Sequence, residues 1–174
     1  MTRDRATGIL LDVMPVRLDA GSSIVFLGSG LDVGTTGSED RQQGVALVVG
    51  IFGSGRVSGS TALRLAQSDL LFAHADTVID TSDVEGRHAL LHVLAPLARP
   101  GSEVSTWTGA ALTADVLDAW GLLVAVTPDA DEAASELLQR LRTRSGLAMR
   151  LTSEITARPG SLRQHLEWEA EAQE

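Results

Sequence analysis

Apolar residues follow two rhythms along this chain, short β-branched runs first and helical stripes later. Ile9 to Val16 and Ser23 to Leu27 read as short strands, parted by the turn-like Asp19-Ala20-Gly21. Gly28 to Gly44 is rich in Gly, Ser, Thr and charge and reads as a loop. Val45 to Phe52 is apolar on both faces, which suits a strand covered from both sides. Gly53 to Thr61 reads as a flexible passage ending in N-cap residues. A short helix is expected from about Thr61 to Gln67, with Leu63 and Ala66 on one face and Leu63 in the core. Leu70 to Ala73 and Thr77 to Asp80 follow as strands. Arg87 to Ala98 is helical in pattern. Thr113 can cap a helix over Ala114 to Trp120, stopped by Gly121 before a strand at Leu122 to Thr127. Asp129 opens a helix reaching about Arg144, with Leu137, Leu138 and Leu141 inward. Leu147, Leu151 and Ile155 continue an apolar stripe at four-residue spacing. Arg158-Pro159-Gly160 breaks it, and Ser161 with Gln164 makes a capping box for a last helix.

Strands and turns first, amphipathic helices last, predict one α/β domain: a body over residues 1–127 and a C-terminal helical layer over 128–174. The 174 residues suffice for one substantial core. Only 3% are aromatic, so that core must be built from Leu, Val, Ile and Ala. The net charge is −9 and every basic residue is Arg. Such acidity, with no dense Arg run, argues against nucleic acid and anionic membranes as partners. Without Cys there can be no disulfide, thiolate metal site or Cys nucleophile. The start is charged, and the longest apolar run, Val45 to Phe52, is far too short to span a bilayer. A cytoplasmic protein is the expectation.

Isolated chemistry-bearing residues say little. His88 and His92 could share a helix face, but no Glu lies between them and no third ligand is evident, so no metal is expected. Ser29, Ser54 and Ser60 sit in no Gly-x-Ser-x-Gly elbow. Gly53, Gly55 and Gly59 miss the spacing of a dinucleotide fingerprint, and the lack of Lys rules out a Walker A loop. No cofactor is implied. Trp107, Trp120 and Trp168 read as core or interface anchors.

Three stretches change the picture together. Leu27-Gly28-Ser29-Gly30-Leu31-Asp32 is similar to a Phe-Ser-Ala-Gly-x-Asp turn. Gly55 to Asp69, with Gly59-Ser60 before Leu63, is similar to Gly-x-Ala-x-Gly-Gly-Gly-x-Glu-Leu-Ala-x-x-Cys-Asp. Thr108-Gly109 with Leu112 and Ala114, then Gly121-Leu122, is similar to Thr-Gly-x-x-Ile-x-Ala followed by x-Gly-Leu-Val. In order and spacing, over about residues 24–157, the chain resembles the crotonase (enoyl-CoA hydratase/isomerase) superfamily. The fold this implies is a crotonase-like spiral of short β-strands and helices, shared with Clp-type proteases, here shortened at the N-terminus. Only 26 residues precede Leu27, and the Gly triplet is reduced to Gly59-Ser60-Thr61.

The resemblance implies an enzyme that stabilises the enolate of an acyl thioester with two backbone N–H groups. By position these are Leu31 and Ser60, with Gly30, Gly59 and Leu63 lining the substrate. Of the two carboxylates used by the family's hydratases, the first falls on Leu63 and the second on Asp83, with Asp80 and Glu85 as rivals and His88 as an alternative base. One carboxylate resembles the double-bond isomerases of the family more than the hydratases; dehydration, decarboxylation or cyclisation could use the same hole. With no Lys for the CoA phosphates, an acyl carrier protein thioester or a free acid stands beside acyl-CoA. Family members also imply a homo-oligomer, a trimer or dimer of trimers. The rival reading is a crotonase-fold binding or assembly subunit without catalysis. A Clp-type protease would need a Ser–His–Asp triad, for which there is no motif.

Overall fold

The computed structural model describes residues 11–28, 45–82, 112–149 and 152. The strands are β1 (Asp12–Arg17), β2 (Ser23–Gly28), β3 (Val45–Phe52), β4 (Arg56–Val57), β5 (Leu70–His74), β6 (Val78–Ile79), β7 (Leu112–Thr113) and β8 (Ala125–Thr127). The helices are α1 (Gly59–Leu65), α2 (Ala114–Ala119) and α3 (Ala130–Leu141). One sheet has the order β1-β2-β3-β5-β8, a second the order β4-β6-β7. This is an α/β fold with mixed sheets. The helix expected over Arg87 to Ala98, the apolar Leu151 and Ile155, and the capping box Ser161/Gln164 lie outside the described residues.

The chain packs as two units. The first takes Met1–Met14, Phe26–Leu47 and Leu138–Glu174. Within it Leu11 is buried, its N–H donates to the Arg142 carbonyl at 3.2 Å, and its own carbonyl accepts from Arg142 Nε at 3.0 Å. Leu27, Val45, Ala46 and Leu138 are buried as well, whereas Leu147 stays 58% exposed.

The second unit takes Pro15–Val25 and Val48–Leu137. Here β3 lies parallel to β5, Ile51 opposite Phe72, and β5 lies parallel to β8, Phe72 opposite Ala125. Parallel neighbours need a crossover, and the one from β3 to β5 carries β4 and α1. Val49, Ile51, Phe52, Leu71, Phe72 and Ala73 are buried, as expected of strands covered on both faces. Asp69 aligns the crossover's return. Its carboxylate accepts from the Val48 N–H at 2.8 Å while its own N–H donates to the Val48 carbonyl at 2.9 Å. α2 starts on Thr113, whose hydroxyl accepts from the Val116 N–H. It ends in a Schellman motif: Gly121, at φ +78°, donates to Asp118 and Leu122 donates to Leu117.

The sequence reading missed several boundaries. β1 begins at Asp12 rather than Ile9, and β6 is only Val78–Ile79. β8 begins at Ala125 rather than Leu122, and α3 covers Ala130–Leu141 rather than Asp129 to Arg144. The passage at residues 53–61 is not uniformly irregular: it holds β4 and the first turn of α1. β7 went unread. Leu63 is only half-buried; the helix buries Ala62, Leu65 and Ala66 instead.

Gly53, just past β3, is where the β1–β2 turn meets the crossover. Its N–H donates to the fully buried Ser22 hydroxyl at 3.0 Å, and its carbonyl accepts from the buried Thr77 hydroxyl at 2.8 Å. A Cβ there would stand 2.0 Å from the Ala20 carbonyl oxygen and 2.7 Å from Ser22 N. Backbone, not a flexible side chain, blocks it. Gly53→Ala should therefore destabilise by about 2 kcal/mol or more, read as a lowered urea midpoint. Ser68→Ala is the contrast. Its hydroxyl is buried with no hydrogen-bond partner among the described residues, so its loss should leave the midpoint unchanged or raise it.

Candidate active site

β4 delivers the chain to α1. Val57 is fully buried, and Ser58 follows in extended conformation as the N-cap. The Ser58 hydroxyl accepts from the Thr61 N–H at 3.2 Å and its carbonyl from the Ala62 N–H at 3.0 Å. Gly59 and Ser60, the first two helical residues, have N–H groups with no acceptor inside the helix, by the geometry of a first turn. Gly59 is buried and Ser60 exposed. The partial positive charge of the peptide dipoles collects at the same helix start.

A carboxylate that the sequence did not single out anchors this helix start. Asp19, in the β1–β2 turn, accepts from the Ser58 hydroxyl at 3.0 Å through Oδ2 and from the Thr61 hydroxyl through Oδ1. The turn reaches it because Ala20 and Gly21 both take positive φ, 50° and 69°, the hand that two-residue hairpins favour. The Ser58 hydroxyl also lies 3.0 Å from Thr61 Oγ1 and 3.1 Å from Ser60 Oγ, so three hydroxyls and the Asp19 carboxylate form one hydrogen-bonded network. The Thr61 hydroxyl above all, and Ser58 after it, hold the Asp19 carboxyl below the usual carboxylate range.

The other sequence candidates scatter. Asp80, just past β6, pairs with Arg56 at 3.2 Å and accepts from the Ser82 N–H at 2.9 Å. The Ser82 backbone bond chiefly keeps its carboxyl below the ordinary value. An acid/base group near neutral pH needs the opposite shift, so Asp80 is poorly suited to the role. Gly30, Leu31, Asp83, Glu85, His88 and His92 lie outside the described residues. Of the expected oxyanion and substrate positions, Gly59, Ser60 and Leu63 therefore come together on α1.

A second polar group, also unread, joins β5 to α3. His74 Nδ1 is 2.9 Å from the Pro128 carbonyl, so that nitrogen carries the proton. Nε2 faces Asp131 at 3.5 Å, and Arg17 approaches the same carboxylate at 3.6 Å. Nothing in the spacing of residues 17, 74 and 131 signals this meeting. Among the described residues no three His, Asp or Glu side chains are placed to hold a metal, and no helix is long and apolar enough to cross a membrane.

Because folding lowers the pKa of Asp19, its contribution to stability is complete above about pH 4. It is lost as the pH falls through the lower, folded value. Asp19→Asn should thus be less stable than the parent at neutral pH, and the two denaturation curves should converge in acid. Equal separation at every pH would mean that the carboxylate charge is not what holds the helix start. Ser58→Ala removes the cap itself and should cost about 1 kcal/mol at neutral pH.

No protein-family model and no curated relative matches the chain. Solved structures do. An enoyl-CoA hydratase from Mycobacterium smegmatis is similar over 71% of this chain and 51% of its own, with a TM-score of 0.58 at 16% identity. An enoyl-CoA hydratase/isomerase family protein from Silicibacter pomeroyi is similar over 71% and 57%, with a TM-score of 0.56 at 16% identity. An enoyl-CoA hydratase from Thermoplasma volcanium GSS1 is similar over 71% and 52%, with a TM-score of 0.57 at 18% identity. The chain spans about half the length of these structures. At such identity the likeness speaks for architecture, and the architecture is the crotonase fold of the enoyl-CoA hydratase/isomerase proteins.

Proposed function

We propose that this protein is a crotonase-like enzyme that holds the carbonyl of an acyl thioester against backbone N–H groups, that of Ser60 among them. There it stabilises the enolate formed beside that carbonyl. The observation that carries the reading is the start of α1: within a crotonase fold, Ser60 lies in the first turn of a helix, where an amide has no acceptor inside the helix. Backbone supplies the donor, so a Ser in place of Gly retains it.

Asp83 is the acid/base, moving a proton between two carbons of the acyl chain. Its rival Asp80 is engaged with Arg56 and Ser82, which supports this choice. Leu63 stands where a second carboxylate would serve water addition and cannot transfer a proton. Double-bond isomerisation is therefore the preferred reaction, with dehydration, decarboxylation or cyclisation as its relatives. Without Lys to meet the CoA phosphates, an acyl carrier protein thioester from secondary metabolism in the cytoplasm is a fitting substrate beside acyl-CoA. A non-catalytic binding subunit is the second reading, favoured by the half-buried Leu63 at the carboxylate position.

Turnover of a panel of 3-enoyl thioesters, on CoA and on pantetheine, separates the two. Asp83→Asn should lower turnover by about 10²–10⁴, the span of lost general acid–base catalysis, while Asp80→Asn and Glu85→Gln stay near the parent. Full activity in all three variants would remove carboxylate catalysis from this segment. No turnover by the parent on any thioester would favour the binding subunit.

The assembly is proposed as a trimer or dimer of trimers, because Leu147 leaves an apolar side chain 58% exposed on the C-terminal segment. Sedimentation at micromolar concentration should show the oligomer, weakened by Leu147→Glu. A monomer at that concentration would refute it.

A further inference from the structure

We infer, independently of the thioester reading, that Pro15 locks the outer edge of β1, so that this edge cannot pair with the same edge of a second copy of this chain.

β1 is the first strand of its five-stranded sheet, and among the described strands its one neighbour is β2. Residues 18–22 join the two. That link is too short for a parallel crossover, so the strands run antiparallel. The Leu18 N–H donates to the Ser22 carbonyl at 2.8 Å, and the limits of the strands, Asp12–Arg17 against Ser23–Gly28, continue the same register. Backbone groups alternate sides along a strand, so Met14 and Val16 turn theirs toward β2 as Leu18 does. Val13, Pro15 and Arg17 turn theirs outward, and Pro15 has no N–H to turn. The hydrogen bond it cannot make lies on the side away from β2, which is why β1 tolerates it.

Little else among the described residues guards this edge. Val13, Met14 and Val16 suit a strand, Val13 is 37% exposed, and the charges of Asp12 and Arg17 cancel. The net charge of −9 opposes association at a distance, but physiological salt screens it beyond about 8 Å. Two such edges meeting antiparallel must set outward residues against outward residues. Centred on residue 15, Val13 faces the second copy's Arg17 and Pro15 faces Pro15. Both central hydrogen bonds are then missing, and each ring presses on the carbonyl opposite. A shift by two residues sets Pro15 against Val13 or Arg17 and still loses the bond that each Pro15 should donate.

Pro15→Thr restores the outward N–H without adding apolar surface. Sedimentation should show this variant forming larger species than the parent at the same concentration, with self-association strengthened about tenfold or more by two restored bonds. Amide exchange followed by NMR should slow at Val13, residue 15 and Arg17 as the variant is concentrated. Adding Val13→Pro blocks the same edge again and should return the parent's size. Equal size of Pro15→Thr and parent overturns the inference, and so does association that survives Val13→Pro. If Pro15→Thr fails to fold, exchange in the parent decides. Fast Val13 and Arg17 amides beside slow Met14 and Val16 uphold an open, unpaired edge, whereas protected Val13 and Arg17 amides sink the inference.

Discussion

The peptide of Gly53 is gripped from both sides, by the hydroxyl of Ser22 on its N–H and by that of Thr77 on its carbonyl. Both hydroxyls are buried, so each bond replaces water that cannot return, and losing one would strand its partner. Three segments distant in sequence converge here: the β1–β2 turn, the end of β3 and the approach to β6. Glycine is required because the turn's backbone occupies the volume of a side chain. With this peptide fixed, β4 can pair with β6 at Val57 and Ile79, and α1 must begin where Ser58 leaves the strand.

The same turn carries the electrostatics. Ser22 clamps the chain through neutral bonds in the core, and Asp19 clamps the helix start through charged ones at the surface. The start of α1 is thus held by backbone at fixed places, with the Asp19 carboxylate tied to the hydroxyls of Ser58 and Thr61. Gly59 keeps its place in the core, while Ser58 and Thr61 use their hydroxyls to tie the helix to the turn.

Much of this fold could be read from the chain, for identifiable reasons. β3 runs from Val45 to Phe52 as its unbroken apolar pattern indicates, and α2 is bounded by Thr113 and Gly121, each with a local conformational reason to be there. β4 and β7 are two residues long and exist only through pairing, so no run of residues announces them. α1 starts earlier than expected because Ser58 and Thr61 are both good capping residues, and tertiary contact with Asp19 lets them serve together. Leu63 was misplaced because Ala62, Leu63, Leu65 and Ala66 leave the buried face of so short a helix undetermined. Ser60 is a candidate through the resemblance of its stretch to the Gly-x-Ala-x-Gly-Gly-Gly pattern. Asp19 was not, because its partners are about forty positions away and nothing local marks them.

The register of the larger sheet also carries an order of assembly. Phe72 meets Ile51 on one side and Ala125 on the other. The first contact closes a short loop that contains its own helix, the second a much longer one. Since closure entropy rises with loop length, β3 and β5 gain their pairing early and β8 arrives last. During synthesis the apolar far edge of β5 is therefore bare until the ribosome has released the chain beyond Thr127. Until β8 is in place, that edge of β5 keeps unpaired backbone groups, the kind of edge that another strand can join.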